Sequence, residues 1–297
     1  MEQPFLATSR MPVYYLCHGG GPWPFMEGEF REHMRWLEAS LKDLPRQLPK
    51  RPTAIVVVSS HWEAHKFSVT SSPAPGMVYD FFGFAPEMYK VQYPAPGSPE
   101  LARRMVQMMT QAGCAALADG TQGFDHSTYS LLKPIFPDAE VPVVQLSLQQ
   151  NLDPGEHFHV GQALAPLRNE GVLIIGSGMS CHEHGPHMAI PSSRFDAWLR
   201  RSLLEASPAE RHEALLHWEK APHARKVHPR EDHLIPLMVA AGAAGSDSAT
   251  CVYGERLLGS MAVSSYRFGG TREHSPFDRG APASRPAIHT EKAAVSP

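Results

Sequence analysis

Five of the chain's 17 histidines stand where long apolar runs give way to glycine or polar residues. His18 follows the run Met-Pro-Val-Tyr-Tyr-Leu-Cys at 11–17 and precedes Gly19-Gly20-Gly21. His61 follows Ile-Val-Val-Val-Ser-Ser at 55–60, and His182 comes shortly after Gly176-Ser177-Gly178. His126 ends the loop motif Gly123-Phe124-Asp125-His126, and His233 opens the apolar stretch His-Leu-Ile-Pro-Leu-Met-Val-Ala-Ala-Gly-Ala-Ala. Imidazole is a ligand for Fe, Zn, Cu and Ni, and it exchanges protons near neutrality. These five could therefore hold a metal, move protons, or do both. No HExxH-like spacing ties them together, so spacing alone does not separate ligands from acids and bases.

The elements that would carry them alternate. Apolar, β-branched runs at 11–17, 54–60, 141–148 and 172–175 read as strands covered on both faces. Apolar residues at helical spacing predict helices at 30–44, ended by Pro45, and at 98–112, punctuated by Gly113. Further helices are expected at 158–170, 193–205, 212–220 and 233–244, the last with Pro236 near its start, where proline is tolerated. Residues 257–268 read as a final strand or strand pair. The order is that of an α/β protein: one domain with a central, mostly buried sheet flanked by helices. Reactive groups in such sheets collect at strand ends, where loops converge. From Thr271 onward, Pro, Ala, Ser and charge without periodicity predict an unstructured tail at 271–297, leaving a domain of 1–270.

Composition narrows the partners. Thirty acidic and 27 basic residues leave a net charge of −3, which argues against nucleic acid or an anionic membrane surface. No apolar run approaches the ~20 residues of a membrane span. The first ten residues lack the basic start and apolar core of a signal peptide, so a cytoplasmic location is expected. Cys17, Cys114, Cys181 and Cys251 show no CxxC spacing and read as reduced thiols. His65, His157, His159, His212, His217, His223 and His228 lie in expected helices or polar loops and read as solvated; Asp125 reads as a residue that orients His126.

Several stretches together resemble the class III extradiol ring-cleavage dioxygenases, most closely their DOPA 4,5-dioxygenase-like branch. They are Leu16 to Gly20, Ile55 to Trp62, Asp80 to Tyr89, Tyr93-Pro94-Ala95-Pro96-Gly97-Ser98-Pro99, Gly123 to His126, Val141 to Ser147, Gly176 to His182 and Glu231 to Leu237. They follow the family's order over about residues 12–268. The resemblance implies His18, His61 and His233 as metal ligands, His182 as general acid/base, and His126 as a hydrogen-bonding partner of substrate or oxygen. It also implies Fe(II) for activity, with Zn(II) as a second metal the site can hold. The expected substrates are O2 and a small catecholic molecule, opened to a semialdehyde in aromatic compound catabolism. One departure stands out: Glu183-His184 follows His182 where relatives usually carry Asn-Leu. Two other functions compete. A hydrolase would use His18-Gly19-Gly20-Gly21 as an oxyanion loop, but no GxSxG nucleophile motif accompanies it. A zinc hydrolase needs no such serine, and a non-enzymatic metal-binding protein of the same fold needs neither His126 nor His182.

Overall fold

The computed structural model describes residues 10–278. In chain order they form β1 (Val13–Cys17), α1 (Arg35–Gln47), β2 (Ala54–Ala64), β3 (Phe67–Thr70), α2 (Pro99–Gln111), β4 (Ala116–Asp119), α3 (His126–Ile135) and β5 (Val143–Gln149). Then follow α4 (Pro154–Leu164), β6 (Val172–Gly178), α5 (Ala189–Arg200), α6 (Pro208–Leu216), α7 (Ile235–Ala244), β7 (Ala249–Leu257) and β8 (Met261–Phe268). Shorter helical turns fill several connections. Among the described residues no helix is long and apolar enough to cross a membrane.

All eight strands join one sheet in the order β4-β3-β5-β2-β6-β1-β8-β7. The middle four, β5-β2-β6-β1, run parallel, and antiparallel strands flank them. The parallel core explains the uniform apolar runs: Ile55 to Val58, Val143, Val144 and Leu173 to Ile175 are buried because both faces of these strands are covered. The same parallelism brings the C-terminal ends of β1, β2 and β6 to one edge. Cys17 pairs with Gly178 and Ser59 with Ser177, so the residues that follow emerge level with one another.

The helix α7 is apolar all round, and each of its ten residues is buried. A helix with no polar face has to sit inside the protein. Two buried arginines receive its C-terminal carbonyls: Arg168 Nη1 donates to Ala243 O at 2.8 Å and Arg211 Nη2 to Gly245 O at 2.5 Å. Cations there oppose the negative end of the helix dipole. Arg168 is also paired with Asp247, which offsets the cost of burying its charge.

Several boundaries differ from the sequence reading. The helix expected to stop at Pro45 runs to Gln47, because proline in a last turn costs only one hydrogen bond. The stretch at 158–170 is an α-helix to Leu164 followed by a 3-10 turn over Ala165–Glu170, and its helix begins earlier, at Pro154. Strand β2 continues past its expected end to Ala64, through a shift in register between Val58 and Glu63. The final strand or strand pair expected at 257–268 is a strand pair, a hairpin whose first arm begins earlier, at Ala249. Strands β3 and β4 were not anticipated; each has only four residues, too few to show alternation. Residues 271–278, assigned to the tail by composition, hydrogen-bond to α1: Arg272 N to Gln47 O at 2.9 Å and Ser275 Oγ to Asp43 Oδ2 at 2.6 Å. The rest of that stretch, 279–297, lies outside the described residues.

Helices α4 and α7 touch backbone to backbone at Gly161. A Cβ there would stand 2.1 Å from Val239 O. Gly161→Ala is therefore expected to destabilise the protein by about 1–3 kcal/mol through overpacking, read as a lower urea midpoint with an unchanged slope.

Candidate metal centre

The level strand ends bring four of the five histidine rings into one cluster, with the fifth stacked against it. His18 leaves β1 with its backbone N–H on Gly178 O, and its carbonyl is held by Trp23 Nε1 at 2.7 Å. His61 lies within β2, at the register irregularity, where a bulge re-aims side chains. His233 sits just ahead of the buried α7. Its carbonyl accepts from Tyr15 Oη at 2.8 Å and from Met179 N at 3.0 Å. Strand β6 comes so close here that a Cβ on Gly178 would stand 2.1 Å from the same carbonyl, so only glycine fits.

One donor nitrogen from each of His18, His61 and His233 lies within 4.8 Å of the others. The ring centroids are 5.3 Å apart for His18–His61 and His18–His233 and 4.8 Å for His61–His233. His126 lies 4.0 Å from His61 and 5.3 Å from His18. His182 stacks on His233 at 3.6 Å with an interplanar angle of 15°. It shares a second donor group with Asp232 and His233 rather than joining the first three.

Two carboxylates that the sequence reading did not single out order this cluster. Asp80 Oδ2 lies 3.1 Å from His61 Nδ1 and 2.9 Å from His126 Nδ1; Asp232 Oδ2 lies 3.0 Å from His233 Nδ1. A carboxylate only accepts, so these Nδ1 atoms must carry the hydrogens. Nε2 of His233 is then free to accept, and Nε2 of His61 faces it at 3.0 Å. Only a shared proton or a cation satisfies both. About 3 Å is also the separation of adjacent nitrogens on one metal at about 2.1 Å. The buried Nδ1 of His18 has no partner among the described residues. The donor set thus fits a divalent metal that accepts imidazole.

The electrostatics agree. Burial, reinforced by the neighbouring rings, holds His18 and His233 well below the ordinary histidine value, so both are neutral near pH 7. Burial also lowers His182, although Asp232 opposes it. For Asp80, burial works to raise the carboxyl, but the hydrogen bonds from His126 and His61 outweigh it and hold it well below the usual range.

Asp125 does not orient His126; Asp80 does. Asp125 instead accepts from Ser59 Oγ at 2.6 Å and Gln145 Nε2 at 2.9 Å, and Ser59 Oγ in turn accepts the His61 backbone N–H at 3.0 Å. Two histidines expected to be solvated are buried: His157, hydrogen-bonded to Asp153 O and Gln149 N, and His228, hydrogen-bonded to Ser180 O. Among the aromatics, Phe81 packs 6.1 Å from His126 and 5.2 Å from both Phe84 and Tyr89, forming one wall, whereas Tyr129 is core.

Residues 12–269 match the family model of the catalytic LigB subunit of aromatic ring-opening dioxygenase. This chain belongs to that family of class III extradiol dioxygenases. It is similar to a 4,5-DOPA dioxygenase extradiol of Portulaca grandiflora, 41% identical over 74% of this chain and 83% of the relative. An Escherichia coli K12 protein of the same name is 32% identical over 89% of this chain and 97% of its own length. The crystal structure of an uncharacterised Escherichia coli K12 protein superposes with a TM-score of 0.69 at 30% identity, covering 88% of this chain and all of that one. The chain is accordingly an oxidative ring-cleavage enzyme of the extradiol type.

Burial pushes Asp125 up to about 6, with Asp80 adding to the rise. The folded protein then holds this proton more tightly than the unfolded chain. Stability contributed by the group is full below the ordinary carboxylate value near 4 and is lost as pH climbs through about 6. Relative to wild type, Asp125→Asn should gain stability between about pH 4 and about pH 7, read by urea denaturation across that range.

Proposed function

We propose that this dioxygenase inserts both atoms of O2 into a catechol-type ring beside the diol, giving a ring-opened semialdehyde. Fe(II) held by His18, His61 and His233 is the cofactor we assign. The convergence of the three donor nitrogens, with Nε2 of His61 and Nε2 of His233 only 3.0 Å apart, carries this reading. Family membership and the DOPA-dioxygenase names of the relatives support a dihydroxyaromatic substrate, DOPA-like or otherwise.

When bound, Fe(II) would lower the pKa of a chelated diol and pass electron density from ring to O2, chemistry that redox-inert Zn(II) lacks. The protein's own groups account for the rest. His182 is kept neutral by burial and stacked on the ligand His233, so it can accept a hydroxyl proton and return it after ring opening. His126 is fixed by Asp80 through both its ring and its backbone and borders the aromatic wall, a position suited to a hydrogen bond with substrate or oxygen. Phe81, Phe84 and Tyr89 supply an apolar surface for a planar ring and limit water at the site. The Glu183-His184 pair places a second imidazole 5.9 Å from His182, a local difference in the environment of the proposed acid/base.

Anaerobic loading with Fe(II), followed by a panel of catechols including DOPA and protocatechuate, should give O2 uptake and a yellow product. Full iron occupancy with no uptake on any catechol would overturn the proposal. His233→Ala should abolish metal retention, whereas His182→Ala should retain metal and lower kcat by about 10²–10⁴-fold, as expected for loss of a general acid/base. The opposite pattern would exchange the two roles.

A further inference from the structure

We infer that Asp80 is a positioning residue that sets two imidazoles at once, coupling the metal side of the site to the substrate side. The inference rests on the metal-centre reading above and adds a residue to it. Three N–H donors converge on this one carboxylate. Oδ1 accepts the backbone N–H of His126 at 3.0 Å and Oδ2 accepts His126 Nδ1–H at 2.9 Å, while His61 Nδ1 lies 3.1 Å from the same Oδ2. Each ring is thereby held in the tautomer that turns its Nε2 lone pair away from Asp80. For His61 that lone pair meets His233 Nε2 at 3.0 Å, and the His126 ring lies 4.0 Å from that of His61.

The carboxylate is itself fixed by its surroundings. The segment ahead of it is tied to the His126 loop by a bridge between Met77 and Phe124 and by Val78 N on Phe124 O at 2.7 Å. Tyr79, next in the chain, donates from its hydroxyl to Val91 O at 2.9 Å. His61 is thus oriented from a loop outside the sheet, by the same oxygen that orients His126. Asp232 performs the single-ring version of this task, since among the described histidines only the His233 ring is hydrogen-bonded to it.

Asparagine cannot replace Asp80. Whichever way its amide is turned, the NH2 group opposes at least one N–H donor, so a ring must turn or move its hydrogen to the other nitrogen. In metal-free wild-type protein, two-bond 15N–1H spectra of ring-labelled histidine should show His61 and His126 as Nδ1–H tautomers. Asp80→Asn should change one or both and leave His233 unchanged, whereas Asp232→Asn should do the reverse. In a competition assay with a chromophoric chelator, Asp80→Asn should bind zinc roughly 10–100-fold more weakly, and Asp80→Glu should recover part of the loss. A folded Asp80→Asn protein with unaltered ring tautomers and unaltered zinc affinity would overturn the inference. If that variant does not fold, a wild-type His126 carrying its hydrogen on Nε2 would overturn it equally. Absence of ring cleavage with intact Nδ1–H tautomers would count against the proposed reaction and leave the Asp80 role standing.

Discussion

Two imidazole Nε2 atoms, of His61 and His233, face each other across 3.0 Å, and much of the structure serves to keep them there. Two such acceptors repel each other unless a proton or a metal ion lies between them, so the surrounding fold has to fix both rings. His61 is pinned by Asp80, and the backbone beneath it by Ser59. His233 is pinned by Asp232 at its ring and by Tyr15 and Met179 at its carbonyl. His233 cannot turn without breaking its hydrogen bond to Asp232, nor His61 without leaving its 3.1 Å contact with Asp80.

This constraint reaches into the core. His233 is held in place by α7, whose uniform apolarity commits it to the interior and whose C-terminal carbonyls are received by Arg168 and Arg211. His18 and His61 are delivered by parallel neighbours of β6, whose register sets Cys17 beside Gly178 and Ser59 beside Ser177. Rigid elements, rather than the intervening loops, therefore set the distances between the candidate ligands. Burial has an electrostatic result as well: it keeps His18, His233 and His182 neutral, the state in which imidazole ligates metal or accepts a proton.

Much of this was legible in the chain. The β-branched runs at 55–58, 143–144 and 172–175 announced a sheet covered on both faces, and the alternation with helical spacing announced α/β order. The five histidines at the ends of apolar runs were visible as a group, and the ordered motifs from Leu16 to Leu237 pointed to the family to which the chain belongs. Boundaries were less legible. A last-turn proline, a register shift in β2 and two four-residue strands produce no periodic signal long enough to read.

What the sequence determined by itself, then, was element type and a set of candidate histidines, because periodicity and residue chemistry are local properties. Tertiary structure alone decided which groups act on one another. Asp80 is a carboxylate in a loop 46 residues from His126; it opens one of the family-like stretches, but no spacing or periodicity there pairs it with a histidine. Asp125, adjacent to His126, looked the better partner and turned instead to Ser59 and Gln145. His157 and His228 looked solvated and are buried, because their hydrogen-bond partners and covering residues come together only on folding. His61 and His233, 172 residues apart, come to face each other at 3.0 Å only once parallel strands and a buried helix bring their rings to the same edge.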